Sequence, residues 1–298
     1  MKYIIILGAL SILLYSINKL SKIIEEFGQS KIQLILNKFT KTYISSFICG
    51  ILICLITQSS TIVTIITIVL ISNNLLSLEH GLCINIGSNI GTTVASLVIT
   101  FDINNYYYLF FIISLLLIYI KKEFLGNILF FLGLTFLSVN IFENNMFYLF
   151  NNKLSHLLFE NNSSPLKGIS LGTIIAFLTQ SSSATIALTQ KTYMNGLISG
   201  IMGCSIMLGA NIGTTISGLI FSLKESINSK RLVVSGLLFN VFGVLLVMPF
   251  LYIYKHNINT CNIKYLVSIS HILFNIATGL LGLFFIKPLC YISKCLVK

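Results

Sequence analysis

At 298 residues, with 55% hydrophobic and 9% charged side chains, the chain lacks the surface charge of a soluble domain of this size, where about 25% is usual. The formal charge of +11 does not mark a nucleic-acid surface. The lysines sit in short loops between apolar runs, form no basic face, and read as orientation signals of an integral membrane protein.

In chain order, apolar runs fall at about 3–17, 43–57, 61–72, 81–101, 106–120, 124–142, 168–178, 184–190, 196–221, 232–254 and 265–286. The first has no small-residue cleavage site and is followed by a Lys-rich stretch, so it is expected to stay in the mature chain. Residues 1–42 then comprise an N-terminal helix and an amphipathic segment holding five lysines with Glu25 and Glu26. The Asn-rich stretch 143–164 separates a first segment, 43–142, from a second segment with its following helices, 165–286. Residues 287–298 form a cytoplasmic tail. The seven cysteines, among them Cys49, Cys54, Cys83 and Cys204, form no CxxC pair or zinc-like cluster and read as small buried apolar residues.

A shift of 122 residues aligns two blocks without a gap. Thr57–Ser60 (TQSS) falls on Thr179–Ser182, and Gly87–Thr93 (GSNIGTT) on Gly209–Thr215 (GANIGTT). Across the 60 positions from Tyr43 to Asp102 there are 19 identities. Matched Gln, Asn, Ser and Thr at one common offset indicate internal duplication.

Runs 43–57 and 61–72 are each too short to cross a bilayer, as are 168–178 and 184–190, since a crossing takes roughly 20 residues. If each pair enters and returns on one side, three spans separate the copies and the second is inverted. The basic residues then divide 13 to 6, and the richer side, with Lys121 and Lys230, is cytoplasmic. If 43–72 is instead one long helix, the repeats are parallel and Lys121 and Lys122 lie opposite the lysines of 18–42. The inverted arrangement is preferred. The expected fold is an all-α polytopic membrane protein with inverted-topology repeats, each with a re-entrant helical hairpin and broken helices.

Four polar residues in succession cannot all face one neighbour from a membrane helix, where no bulk water satisfies them. Irregular backbone lining a cavity tolerates them, as in transporters built from broken helices. Half-helix N-termini offer N–H groups to an anion, and hydroxyls and amides offer oxygen to a small cation. Any one such residue serves equally well as helix-packing glue. The paired motifs, with a shared 31-residue spacing (Gln58 to Asn89, Gln180 to Asn211), favour a binding site. No Asp, Glu, Lys or Arg lies deep in an apolar run, so the site is expected to be neutral, without a proton relay.

These doubled motifs closely resemble those of the type II sodium–phosphate cotransporter family, in its short form without a regulatory domain. Gln180–Thr185 (QSSSAT) and Gly209–Thr215 match the family pattern unchanged. Thr61 stands for a Ser and Ser88 for an Ala. His271, Phe274 and Asn275 match a paired H-x-x-F-N segment, whose earlier copy keeps Phe239 and Asn240 but has Gly236 in place of His. By itself His271 reads as a packed, hydrogen-bonded histidine.

The resemblance implies that Gln58, Ser59, Ser60, Thr61, Gln180, Ser181, Ser182 and Ser183 line phosphate and sodium sites. Asn89, Thr92, Thr93, Asn211, Thr214 and Thr215 support them, and the resemblance does not separate phosphate ligands from sodium ligands. It implies sodium as the coupling ion, no cofactor, and a multi-pass protein of the cell membrane moving inorganic phosphate by alternating access. Export and a passive channel stay open as alternatives. An enzyme acting on lipid phosphates lacks the His, Asp or Glu constellation that such chemistry needs.

Overall fold

Apolar runs become helices, four of which start at a serine whose side chain accepts a backbone N–H: Ser59, Ser181, Ser199 and Ser226. The computed structural model describes residues 4–13, 15, 16, 19, 23, 40–57, 59–100, 107–145, 164–260 and 263–298. In order, the helices are α1 Ile4–Leu13, α2 Tyr43–Thr57, α3 Ser60–Ser72, α4 Leu78–Thr100, α5 Tyr107–Tyr119, α6 Glu123–Asn145 and α7 Pro165–Thr179. There follow α8 Ser182–Met194, α9 Gly200–Ser222, α10 Ile227–Ile253, α11 Lys255–Thr260, α12 Leu266–Phe284 and α13 Ile286–Leu296. No strand occurs among the described residues.

Three helices, α9, α10 and α12, are long and apolar enough to cross a membrane. Of α5 only Ser114 is buried, while Leu115 and Leu116 are largely exposed, an apolar outer surface suited to lipid. Five of the six described cysteines are buried as expected, and Cys295 is exposed. The 287–298 stretch, read as a tail, is mostly α13, which buries Leu289, Cys290 and Ser293 against the bundle. Residues 146–163, most of the expected linker, lie outside the described residues.

The closest helix pairs are α2 on α4 and α7 on α9. Glycine makes both possible. A Cβ on Gly50 would overlap the carbonyl oxygen of Ile84, and one on Gly172 that of Ile206, 122 residues on. Gly87 and Gly209 lie equally close to the carbonyls of Phe47 and Ile169. Small residues let two backbones approach where apolar burial alone gives helices in lipid no drive to associate.

The contacts also fix direction. Ser46 bonds His80 at 2.8 Å, Gly50 meets Ile84 and Gly91 meets Cys54, so α2 runs parallel to α4. Ile71 meets Gly81 and Thr67 bonds Asn85, so α3 runs antiparallel to it, and the chain reverses between α2 and α3. Ser96 reaches His271, Ile90 meets Gly279 and Ile86 meets Gly282, so α12 opposes α4. Contacts of Gly243 with Thr278 and of Gly282 with Phe239 set α10 against α12, and those of Thr215 with Gly236 and Gly218 with Val233 set α9 against α10. It follows that α4 and α9 run in opposite directions.

Candidate functional site

Both TQSS segments are helix breaks with the same local chemistry. Ser59 caps α3 by accepting a hydrogen bond from the backbone N–H of Ile62 at 3.3 Å. Ser181 caps α8 by accepting from that of Ala184 at 3.1 Å. A serine that closes a helix start in this way satisfies one of four otherwise unpaired N–H groups. Gln180 closes α7 in the left-handed conformation, with φ 52° and its side chain exposed. Gln58 lies outside the described residues.

The breaks are joined. Thr61 Oγ1 donates to the Gln180 carbonyl at 3.2 Å, and Ser183 Oγ to the Thr92 carbonyl at 3.4 Å. Beside this junction is a cavity of about 30 Å³, room for roughly two water molecules. Five predicted residues line it: Ser60, Thr61 and Asn89 from one motif pair, Thr214 and Thr215 from the other. Thr64, Asn85, Gly236 and Asn240 line it too, and were not among the predicted site residues. Asn85 had a readable signal, since it lies one helical turn before Asn89 on the same face of α4.

Asn240 is the hub of the polar network. Its Oδ1 accepts from Asn89 Nδ2 at 3.2 Å, and its Nδ2 donates to the Asn211 carbonyl at 3.1 Å and to Thr215 Oγ1 at 2.6 Å. One amide thus ties together motif segments 122 residues apart. Asn211 Nδ2 in turn donates to Asn275 Oδ1 at 3.4 Å.

Ser182, Ser183, Thr92, Thr93 and Asn211 are buried and do not line the cavity. Asn211 faces α12 through Asn275. There His271, fully buried, meets Ser96 Oγ at 3.3 Å through Nδ1, the packed role read from the sequence. Among the described residues, no ionisable side chain lines the cavity. Lys191, in the last turn of α8, is 1% exposed, the only Lys, Arg, Asp or Glu buried among the described residues. The sequence places it among the six basic residues of the external side, just past the apolar run 184–190.

The Na+/Pi-cotransporter family model matches residues 12–144 and 137–288. The "putative inorganic phosphate export protein YjbB" of Escherichia coli K12 is 22% identical over 279 residues, covering 91% of this chain and 51% of that protein. The protein of the same name from Shigella flexneri matches equally. The uncharacterized protein YqeW of Bacillus subtilis 168 is 27% identical over 277 residues, covering 91% of this chain and 90% of that one. This chain therefore spans about half the length of the YjbB relatives and most of YqeW. No solved structure matches it.

Proposed function

This chain belongs to the Na+/Pi-cotransporter family, and from that premise we propose that it is a multi-pass transporter of the cell membrane, moving inorganic phosphate with sodium by alternating access. The observation that carries this is the shared cavity, to which Ser60, Thr61 and Asn89 come from one motif pair and Thr214 and Thr215 from the other. Its hydroxyls and amides offer N–H and O–H to phosphate oxygens and lone pairs to sodium. A neutral lining favours carrying the anion together with a cation, because an isolated ion in a low-dielectric site is costly. A cavity for about two waters is too small for phosphate, so loading requires the tips of α3 and α8 to part. The junction from Thr61 to Gln180 is the contact that must break.

Inverted repeats with re-entrant hairpins complete this reading. The opposed directions of α4 and α9 support it, as does the position of both ends of the α2–α3 pair. Ser72 Oγ accepts from the Ser226 N–H at the start of α10, and Tyr43 stacks edge-on against His80 at the start of α4. At the same end Lys294 pairs with Glu79 and Arg231 donates to the Val297 carbonyl. That end is cytoplasmic on this reading. Cysteines introduced at Lys121 and Lys230 are then expected to react with impermeant reagents from the cytoplasm, and one at Lys264 from outside. Residues 230 and 264 reacting from the same face would refute the topology.

Net export is a second reading, favoured by the name of the YjbB relatives. Direction follows from the gradients, and both readings use the same site. In proteoliposomes, radiolabelled phosphate is expected to accumulate against its gradient when sodium is supplied and to lose most of that uptake when choline replaces it. Full uptake in choline driven by a pH gradient refutes sodium coupling. Equilibration without accumulation identifies a passive channel.

A further inference from the structure

We propose that the ligand seat is one-sided: Gly236 and Asn85 create it against α10, and the corresponding place against α12 is stoppered by His271 and Met207. This deepens the phosphate-transport reading and rests on it for the ligand's identity, a small oxyanion.

Two sides of the network correspond residue by residue. Asn89 pairs with Asn240 on one side and Asn211 with Asn275 on the other. Four residues before each asparagine on α10 and α12 stand Gly236 and His271. Four residues before the other two, on α4 and α9, stand Asn85 and Met207. The first of each pair borders the cavity, and the second is buried in the closed side.

Gly236 is not a packing glycine. Glycine is the least favourable residue inside a helix after proline, and at Gly50 or Gly172 close backbone contact accounts for it. At Gly236 a Cβ would meet only Thr215 Cγ2, at 3.7 Å, which is ordinary contact. What the missing side chain leaves is the space beside it. Asn85 is engaged at one end of its amide, where Thr67 Oγ1 bonds Oδ1 at 2.9 Å, and the side chain borders the cavity.

The α12 side has the polarity of a site without its space. Ser268 Oγ, His271 Nε2 and Asn275 Nδ2 are the buried side-chain N and O atoms without a partner among the described residues. They share one face of α12, at i, i+3 and i+7. That face would suit a ligand, but the imidazole occupies the position that Gly236 leaves empty.

The test uses full-length protein with Cys261 and Cys295 changed to serine, carrying either Gly236→Cys or His271→Cys. A small methanethiosulfonate reagent is expected to modify Gly236→Cys at least about 10-fold faster, with phosphate plus sodium slowing it. Gly236→Ala is expected to melt no lower than the parent, yet to raise the phosphate KM about 10-fold, the scale of one extra methyl group in a close-fitting pocket. Equal labelling at the two positions, or Gly236→Ala with the parental KM, overturns the one-sided seat. If the parent transports no phosphate while labelling stays one-sided, the transport reading falls and the seat stands.

Discussion

Gly172→Ala and Gly50→Ala are expected, with the equally tight Gly87 and Gly209, to be among the most destabilising single methyl groups that can be added to the bundle. Each new Cβ would overlap a carbonyl oxygen, that of Ile206 or Ile84, on a helix that cannot retreat without loosening its whole seam. Overpacking that only displaces flexible side chains costs roughly 1–3 kcal/mol. Here backbone must move against backbone, so the upper end of that range or beyond is expected. A loss of about 3 kcal/mol lowers the melting temperature by roughly 6–12 °C in a chain of this order of length. The measurement is melting in detergent beside Gly8→Ala, where a Cβ meets nothing within 4 Å. Equal melting of all three proteins would show that the glycines do not set the helix seams.

Asn240→Ala is expected to abolish phosphate uptake and also to destabilise the fold. Its side chain is 4% exposed and holds Asn89, the Asn211 carbonyl and Thr215 at once. Removing it takes the acceptor from Asn89 Nδ2, at about 1–3 kcal/mol. The Asn211 carbonyl keeps its bond from Thr215 Oγ1 at 2.8 Å. Asn257, on α11, is exposed and serves as the control, expected to stay within about 0.5 kcal/mol of the parent. Uptake and melting are measured for both variants. Parental uptake in Asn240→Ala would remove the asparagine network from the mechanism.

The two experiments separate the roles of glycine and asparagine here. Gly50 and Gly172 bring helices together, and their loss is read first in melting. Asn240 connects the motif segments, and its loss is read in transport as well. Gly236→Ala differs from both, because it adds a methyl group to free space and is read in KM alone.

How much of this was legible beforehand depended on whether a residue's role was local. The breaks at Ser59 and Ser181 follow from their own segments, because a polar run cannot stay in an unbroken membrane helix and serine is a strong helix-starting residue. The exposed side chain of Gln180 was not legible. Its motif gives the residue type, and the exposure arises at the end of α7, where the backbone is left-handed. The burial of Lys191 was not legible for a related reason: it is set by the helices packed around α8.

Composition alone determined the class of protein, because so few charges cannot cover a soluble surface. The 122-residue offset alone determined which motifs are related, and those motifs hold four of the residues that line the cavity, Ser60, Asn89, Thr214 and Thr215, while Thr61 came from the family resemblance. Neither could say which members of the related sets lie open and which lie closed. Ser60 and Ser182 are equivalent in sequence, yet one borders the cavity and the other is 3% exposed. That difference arises where helices distant in the chain meet, at Gly236 on α10 and His271 on α12. The space beside a residue belongs to its neighbours, and only the folded bundle chooses them.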